Sequence, residues 1–318
     1  MLVPAPLRCP LGLETNEGVK GDLGMTTPTA IVGTRGSLLA VAQAEFLVKH
    51  LESKGFRVDW KRYTTSGDQW LNGPLDESRG SGFFTKELED ALADRTVDLL
   101  IHSLKDVSLE RPQGVQIACI PSREDCSDWL VMRKDAPKDC VIGTSSVRRE
   151  QMLKPAFPDA KFTWIRGNVP TRVQRVRDGE MRGEPLHGTV LAAAGLLRLD
   201  LDLSDLDVRA LSPEELLPAP GQGALLAETR GDRTDLIAAL SDLHDPLTAR
   251  CVRLERALLA GVGGGCQQPL GALAQQLEDG RIRLRGAFVT DIGIQRGEAI
   301  GDDDAVLIST VLNQMGLS

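Results

Sequence analysis

The chain has 318 residues, with 37 basic against 45 acidic side chains, a net charge of -8 and 42% apolar residues. These values describe a globular chain long enough for two or three cores, too rich in Leu and Val for disorder, and lacking the apolar run that a membrane span requires. An acidic total without a block of Lys or Arg excludes a duplex nucleic-acid binder.

In chain order, residues 1–28 are rich in Pro, Gly, Glu and Thr and carry no periodicity, so they are expected to be a disordered extension. They lack the basic start and apolar core of a secretory signal, and a cytoplasmic, reducing location is expected. From Ala30 onward, short β-rich runs alternate with helical patterns, the mark of an α/β chain with largely parallel sheets. A strand at Thr29–Gly33 leads to a helix over about Ser37–Ser53, a strand near Phe56–Tyr63 and a Gly-rich loop at Asn72–Gly82. A helix over Thr85–Ala93 and a buried strand at Val97–His102 follow. A second set has strands at Trp129–Met132, Val141–Gly143, Lys161–Ile165 and Thr189–Ala192, with helices starting after Ser146, Asn168 and Ala194. The segment Leu216–Gly223 reads as a crossing strand or linker. Beyond Asp245 come a helix over Pro246–Ala260, a glycine run, strands near Leu270–Gln275 and Arg281–Val289, and a last helix over about Asp303–Met315. Two similar α/β halves and a smaller α+β tail make a three-domain plan: 29–122 plus 218–241, then 123–217, then 245–318.

Three junctions between strand and helix share one chemistry: Thr34-Arg35-Gly36-Ser37, Gly143-Thr144-Ser145-Ser146-Val147-Arg148-Arg149 and Arg166-Gly167-Asn168. Ser and Asn there serve as N-caps, but a helix start also exposes unpaired N–H groups that receive an anion, and each junction has Arg beside it. The three together point to a cleft for a ligand bearing several carboxylates, since Arg grips a carboxylate with a planar fork and no phosphate-loop motif occurs. The run Val97 to Val107 is an apolar strand that delivers Lys105 and Asp106 at its end, and an Asp beside such a cleft is suited to stabilising a cation and moving protons around it. Cys251 falls on the apolar side of a helix, where packing explains it. Cys266 follows glycines and precedes Pro269 on a loop, and has no His-Asn partner set nearby. Six cysteines without a CxxC pair and four scattered histidines give no metal-ligand spacing. These residues leave open a two-lobed solute-binding module without chemistry, and a transferase with Cys266 as nucleophile.

The ordered strings GTRGSLLAVAQ, FFTKELE, HSLKDV, GTSSVRR, IRGNVPTR, LAAAGLLRL, PAPGQGA and GGGCQQPLG resemble the porphobilinogen deaminase (hydroxymethylbilane synthase) family over nearly the whole chain from Ile31. The resemblance implies an α/β fold of three domains, two like the lobes of periplasmic binding proteins and a smaller α+β C-terminal domain. It implies that four porphobilinogen molecules are deaminated and joined head to tail on a covalent dipyrromethane cofactor, which Cys266 would hold by a thioether. Asp106 matches the catalytic carboxylate. Arg35, Ser37, Lys105, Thr144, Ser145, Ser146, Arg148, Arg149, Arg166 and Arg198 match positions that bind the acetate and propionate arms, and Gln43 and Asp68 match further cleft positions. The resemblance also implies a monomer that needs no metal, no membrane and no nucleic acid and passes its product to uroporphyrinogen III synthase. The chain departs from the family at Ser81, where Lys is frequent and Arg79 is the nearby cation, at Ser108, where Pro is common, and at Pro220, where an aliphatic residue is usual, while Phe84 keeps the family's aromatic.

Overall fold

A computed structural model describes residues 27–65, 85–264 and 268–317. Nearly all of the expected N-terminal extension, the Gly-rich loop at 72–82, Asp68, Phe84 and Cys266 lie outside the described residues.

The first unit comprises β1 (Thr29–Arg35), α1 (Leu38–Ser53), β2 (Arg57–Tyr63), α2 (Lys86–Ala93), β3 (Leu99–Ser103) and β4 (Val115–Cys119). The second holds β5 (Asp128–Met132), β6 (Val141–Gly143), α3 (Val147–Leu153), β7 (Lys161–Thr163) and α4 (Val169–Asp178). It continues through the short hairpin β8 (Glu180–Met181) and β9 (Glu184–Pro185), then β10 (Gly188–Ala192), α5 (Ala193–Arg198) and β11 (Asp207–Ala210). The chain then returns as β12 (Leu225–Arg230) and α6 (Thr234–Leu240). The tail is α7 (Pro246–Gly261), β13 (Leu270–Gln276), β14 (Ile282–Thr290), β15 (Gly293–Gly301) and α8 (Asp304–Gln314).

The two larger sheets share one topology. Their orders are β2-β1-β3-β12-β4 and β7-β6-β10-β5-β11, each read from the corresponding edge. In both, three parallel strands are followed by one antiparallel strand that has just crossed from the other unit: β12 pairs antiparallel with β3 and β4, and β5 with β10 and β11. The expectation of largely parallel sheets holds for both, since four of the five strands run one way and a single antiparallel strand makes each sheet mixed. Helices pack on their faces because strands such as β3 are apolar on both sides; Leu99, Leu100 and Ile101 are all buried. The tail is an antiparallel meander, β13-β14-β15, packed through Leu270, Leu284 and Ala272 against Leu254, Leu258 and Val311 of its two helices. Cys251 is buried in that core, as its helical position predicted. The result is a mixed α/β molecule of two like units and a smaller α+β unit, in agreement with the fold class expected.

Leu216–Gly223 is a linker rather than a strand, and β4, β8, β9, β11, β12, β15 and α6 are additional to the expected elements. The two crossings meet at one side chain. Glu255 of α7, fully buried, accepts from Arg123 Nη1 at 2.6 Å and Nη2 at 3.0 Å in the first crossing, from Gly221 N at 2.7 Å in the second, and from Ala274 N of β13 at 3.0 Å. A buried carboxylate is tolerated only when its lone pairs are filled in this way.

Candidate functional site

A cleft of about 690 Å³ opens where the first ends of α1 and α4 meet the turn after β3. Open α/β sheets bind ligands at such places, outside the carboxyl ends of their strands. Its charged lining is Arg35, Lys105, Asp106, Arg149, Arg166, Arg172, Arg175 and Arg198: seven cations and, among the described residues, one carboxylate. Apolar and neutral groups complete it, including Leu39, Tyr63, Leu191 and Gln43.

Each side chain is delivered by a local device written in the sequence. Ser37 caps α1 by accepting from Ala40 N at 3.2 Å, which ends β1 at Arg35 beside the cleft. The buried run of β3 stops at Ser103, and a 3-10 turn over Leu104–Asp106 follows, with Leu104 buried while Lys105 and Asp106 line the cleft. Ser103 Oγ is held by Gln43 Nε2 at 2.9 Å. Burial, opposed by the neighbouring Asp106 carboxylate, draws the Lys105 ammonium down to about 8.

Asn168 caps α4, accepting from Thr171 N at 3.0 Å and from its hydroxyl at 2.6 Å. Gly167 before it has φ +108, and a Cβ there would approach Thr171 Cγ2 to 2.9 Å, so the turn takes glycine for both reasons. Arg172 donates from Nε to Gly167 O at 2.7 Å, and Arg175 Nη1 donates to Arg166 O. Burial first, then the positive charges of Arg149, Arg166 and Arg175, lowers Arg172 to about 10. Arg198 of α5 donates to Gly223 O at 2.7 Å, and burial lowers its pKa too.

The junction at α3 is built differently. Arg148 Nη2 lies 2.8 Å from Asp128 Oδ2, and Arg149 reaches Oδ1 through Nη2 at 2.6 Å and Nε at 3.1 Å. Gln222 Nε2 adds a third donor to Oδ1 at 3.0 Å, and Arg149 Nη1 donates to Val190 O at 2.9 Å. Asp128 is fully buried; burial alone would raise its pKa, but Arg148 and Arg149 hold the carboxyl well below the usual range. The guanidinium of Arg148 faces this carboxylate and Leu217 O, and it is not part of the cleft lining. Thr144, Ser145 and Ser146 also stand outside the lining: Thr144 Oγ1 accepts from Ser146 N, Ser145 Oγ donates to Ile165 O, and Ser146 Oγ caps α3.

The cleft thus gathers Arg35, Ser37, Lys105, Asp106, Arg149, Arg166 and Arg198 of the residues expected from sequence. It adds Arg172 and Arg175, whose spacing from Arg166 along α4 was the available signal, and it rests on Asp128, an acidic residue heading an apolar strand. A ligand bearing several carboxylates fits this lining, because each guanidinium offers a planar fork that pairs with a carboxylate.

Residues 30–238 match the family model "Porphobilinogen deaminase, dipyromethane cofactor binding domain", and residues 249–315 match "Porphobilinogen deaminase, C-terminal domain". The porphobilinogen deaminase of Thermus thermophilus is 44% identical over 283 residues, covering 86% of this chain and 89% of the relative. That of Staphylococcus carnosus is 36% identical over 298 residues, covering 90% and 95%. Among solved structures, the effector binding domain of a BenM variant covers 68% of this chain and 92% of its own at 12% identity and TM-score 0.40. A periplasmic substrate-binding protein from Coxiella burnetii covers 69% and 94% at 14% identity and TM-score 0.38.

Proposed function

The chain belongs to the porphobilinogen deaminase family of transferases and carries that family's dipyrromethane-binding domain, and on that premise we propose that the cleft joins four porphobilinogen molecules head to tail and releases ammonia at each addition. The observation that carries this reading is that, among the described residues, seven cations line the cleft with one carboxylate, that of Asp106. Every pyrrole unit brings an acetate and a propionate, and Arg35, Arg149, Arg166, Arg172, Arg175, Arg198 and Lys105 would hold those arms by charge-assisted hydrogen bonds. Ser37 takes its place beside Arg35 at the start of α1.

When bound, the dipyrromethane supplies the terminal pyrrole carbon to which each new unit is added, and Cys266 is assigned the thioether that anchors it. Asp106 takes the catalytic role. Breaking the C–N bond of porphobilinogen sends the electron pair away with ammonia and leaves a positively charged methylene-pyrrole, whose ring N–H a fixed carboxylate accepts and stabilises. Asp106 would also be the group to take up the proton released when the new C–C bond forms. Arg148, Thr144, Ser145 and Ser146 support this chemistry by shaping the α3 junction that presents Arg149. In this reading the lobes are 29–122 plus 218–241 and 123–217, and the tail 245–318 carries the thiol. Its linear product requires an enzyme that closes the ring, and uroporphyrinogen III synthase is the assigned recipient, with a monomer acting in the cytoplasm.

Intact mass of the purified protein tests the reading. An adduct of two pyrrole rings is expected on the wild type and none on Cys266→Ser. Asp106→Asn is expected to keep the adduct and to slow ammonia release by about 10²- to 10⁴-fold. Bare polypeptide mass in the wild type, or ordinary turnover by Asp106→Asn, overturns it.

A further inference from the structure

The turn that carries Lys105 and Asp106 is gripped from the tail. Arg256, one residue beyond Glu255 on α7, donates from Nη1 to Val107 O at 2.9 Å and Leu104 O at 3.4 Å, and from Nη2 to Ser108 O at 2.6 Å. These carbonyls bracket the 3-10 turn Leu104–Asp106. The turn's own backbone support is slight: Val107 N donates to Leu104 O at 3.2 Å, and Leu104 N to Ala224 O at 3.0 Å. A guanidinium is a rigid planar fork, so three carbonyls on one fork fix the direction in which the turn points and not merely its distance. Arg256 also stands ten residues before Cys266 in the same stretch of chain.

We propose that Arg256 is a positioning residue for the reaction: it registers the Asp106 carboxylate against the end of the growing chain whose other end is fixed ten residues downstream. The inference rests on the assignment of Asp106 given above. The catalytic turn is then tied to α7, so that Asp106 keeps its place against the tail helix when the cleft takes a longer ligand. Arg256 is not part of the cleft lining.

The test uses holoenzyme, with the adduct on each variant checked by mass and rates expressed per adduct-bearing molecule. Arg256→Gln is expected to lower kcat for ammonia release about 10- to 100-fold, the scale of a misplaced catalytic group, with KM for porphobilinogen within about twofold of wild type. Arg256→Lys, which keeps the charge but reaches fewer carbonyls, is expected to restore part of the lost kcat. A wild-type kcat in Arg256→Gln, or a loss appearing wholly as raised KM, overturns the inference. Should Arg256→Gln not accumulate as folded protein, Arg256→Lys decides alone: a reduced kcat at unchanged KM supports positioning, and a wild-type kcat refutes it. The Asp106→Asn variant separates the two claims. If it turns over normally the assignment of Asp106 falls, whereas an inactive Asp106→Asn beside a fully active Arg256→Gln removes only the role of Arg256.

Discussion

The starts of α3 and α4 carry similar sequences, Ser-Ser-Val-Arg-Arg and Arg-Gly-Asn-Val-Pro-Thr-Arg, yet their arginines live in opposite surroundings. At α3 the positive charge is answered from within, because Asp128 lies buried between Arg148 and Arg149 and accepts from both. At α4 burial, and after it the charges of Arg149, Arg166 and Arg175, lowers the pKa of Arg172. One cluster is built around its own buried carboxylate, with Arg149 also reaching the cleft. The other lines the cleft with Arg166, Arg172 and Arg175. The same residue type at equivalent junctions therefore does two jobs, and what separates them is a single buried carboxylate.

The largest effect that separates them is expected from Asp128→Asn. Removing the anion leaves two buried guanidinium groups facing each other, and denaturant unfolding should show a loss of about 3–5 kcal/mol. Because the Asp128 pKa is lower in the folded than in the unfolded chain, its stabilisation is complete above the unfolded carboxylate pKa and disappears as pH falls through the folded value. Acid titration of wild type and variant should accordingly converge only in strong acid. Arg172→Leu should do the reverse. Losing a charge-assisted bond worth about 1.5–3 kcal/mol raises KM for porphobilinogen roughly 10- to 100-fold, while the unfolding free energy moves by no more than about 1 kcal/mol, since relieved repulsion offsets the lost bond to Gly167 O. Equal destabilisation by the two variants would erase the contrast.

Lys105 gives a smaller, pH-dependent effect. Its ammonium pKa is drawn down to about 8, so the charged form is present below that value and is lost as pH rises through it. KM should climb about three- to fivefold between pH 7 and 9, about 1 kcal/mol for a partly buried ion pair, and Lys105→Arg should flatten the rise because Arg keeps its proton. The smallest effect belongs to a third kind of compensation. Arg182, at φ +58 in the β8–β9 turn, places its guanidinium 3.3 Å from the centroid of the Trp164 ring. Arg182→Ala should cost about 0.5–1 kcal/mol and shift the Trp164 fluorescence without altering KM.

Much of the α4 side of this contrast could be read from the chain, and little of the α3 side. Ser37, Ser146 and Asn168 announce helix starts by their chemistry, and β3 announces its end by the change from Leu-Leu-Ile to Lys-Asp, so the junctions were legible. Asp128 was not, because an acidic residue before Trp-Leu-Val-Met looks like an ordinary polar strand boundary, and its partners lie 20 and 21 residues away on another element. Thr144, Ser145 and Ser146 fit an anion site by composition, but their hydroxyls turn to backbone groups, local ones for Thr144 and Ser146 and Ile165 O for Ser145, a choice that only the folded junction reveals. Of the missed strands, β12 opens on the unbroken apolar run Leu225-Leu226-Ala227 and β15 is interrupted by Gly297, so no clean alternation marks either.

Two separate stretches of chain join the lobes, one through Arg123 and one through Gly221, and both end on the carboxylate of Glu255. A pair of tethers fastened to a common pin leaves a hinge and removes a swivel: the sheets can swing about that point, while sliding or screwing past each other would tear at least one of the bonds. Any opening of the crevice, on this geometry, would turn about the acidic side chain that the tail lends to both connections.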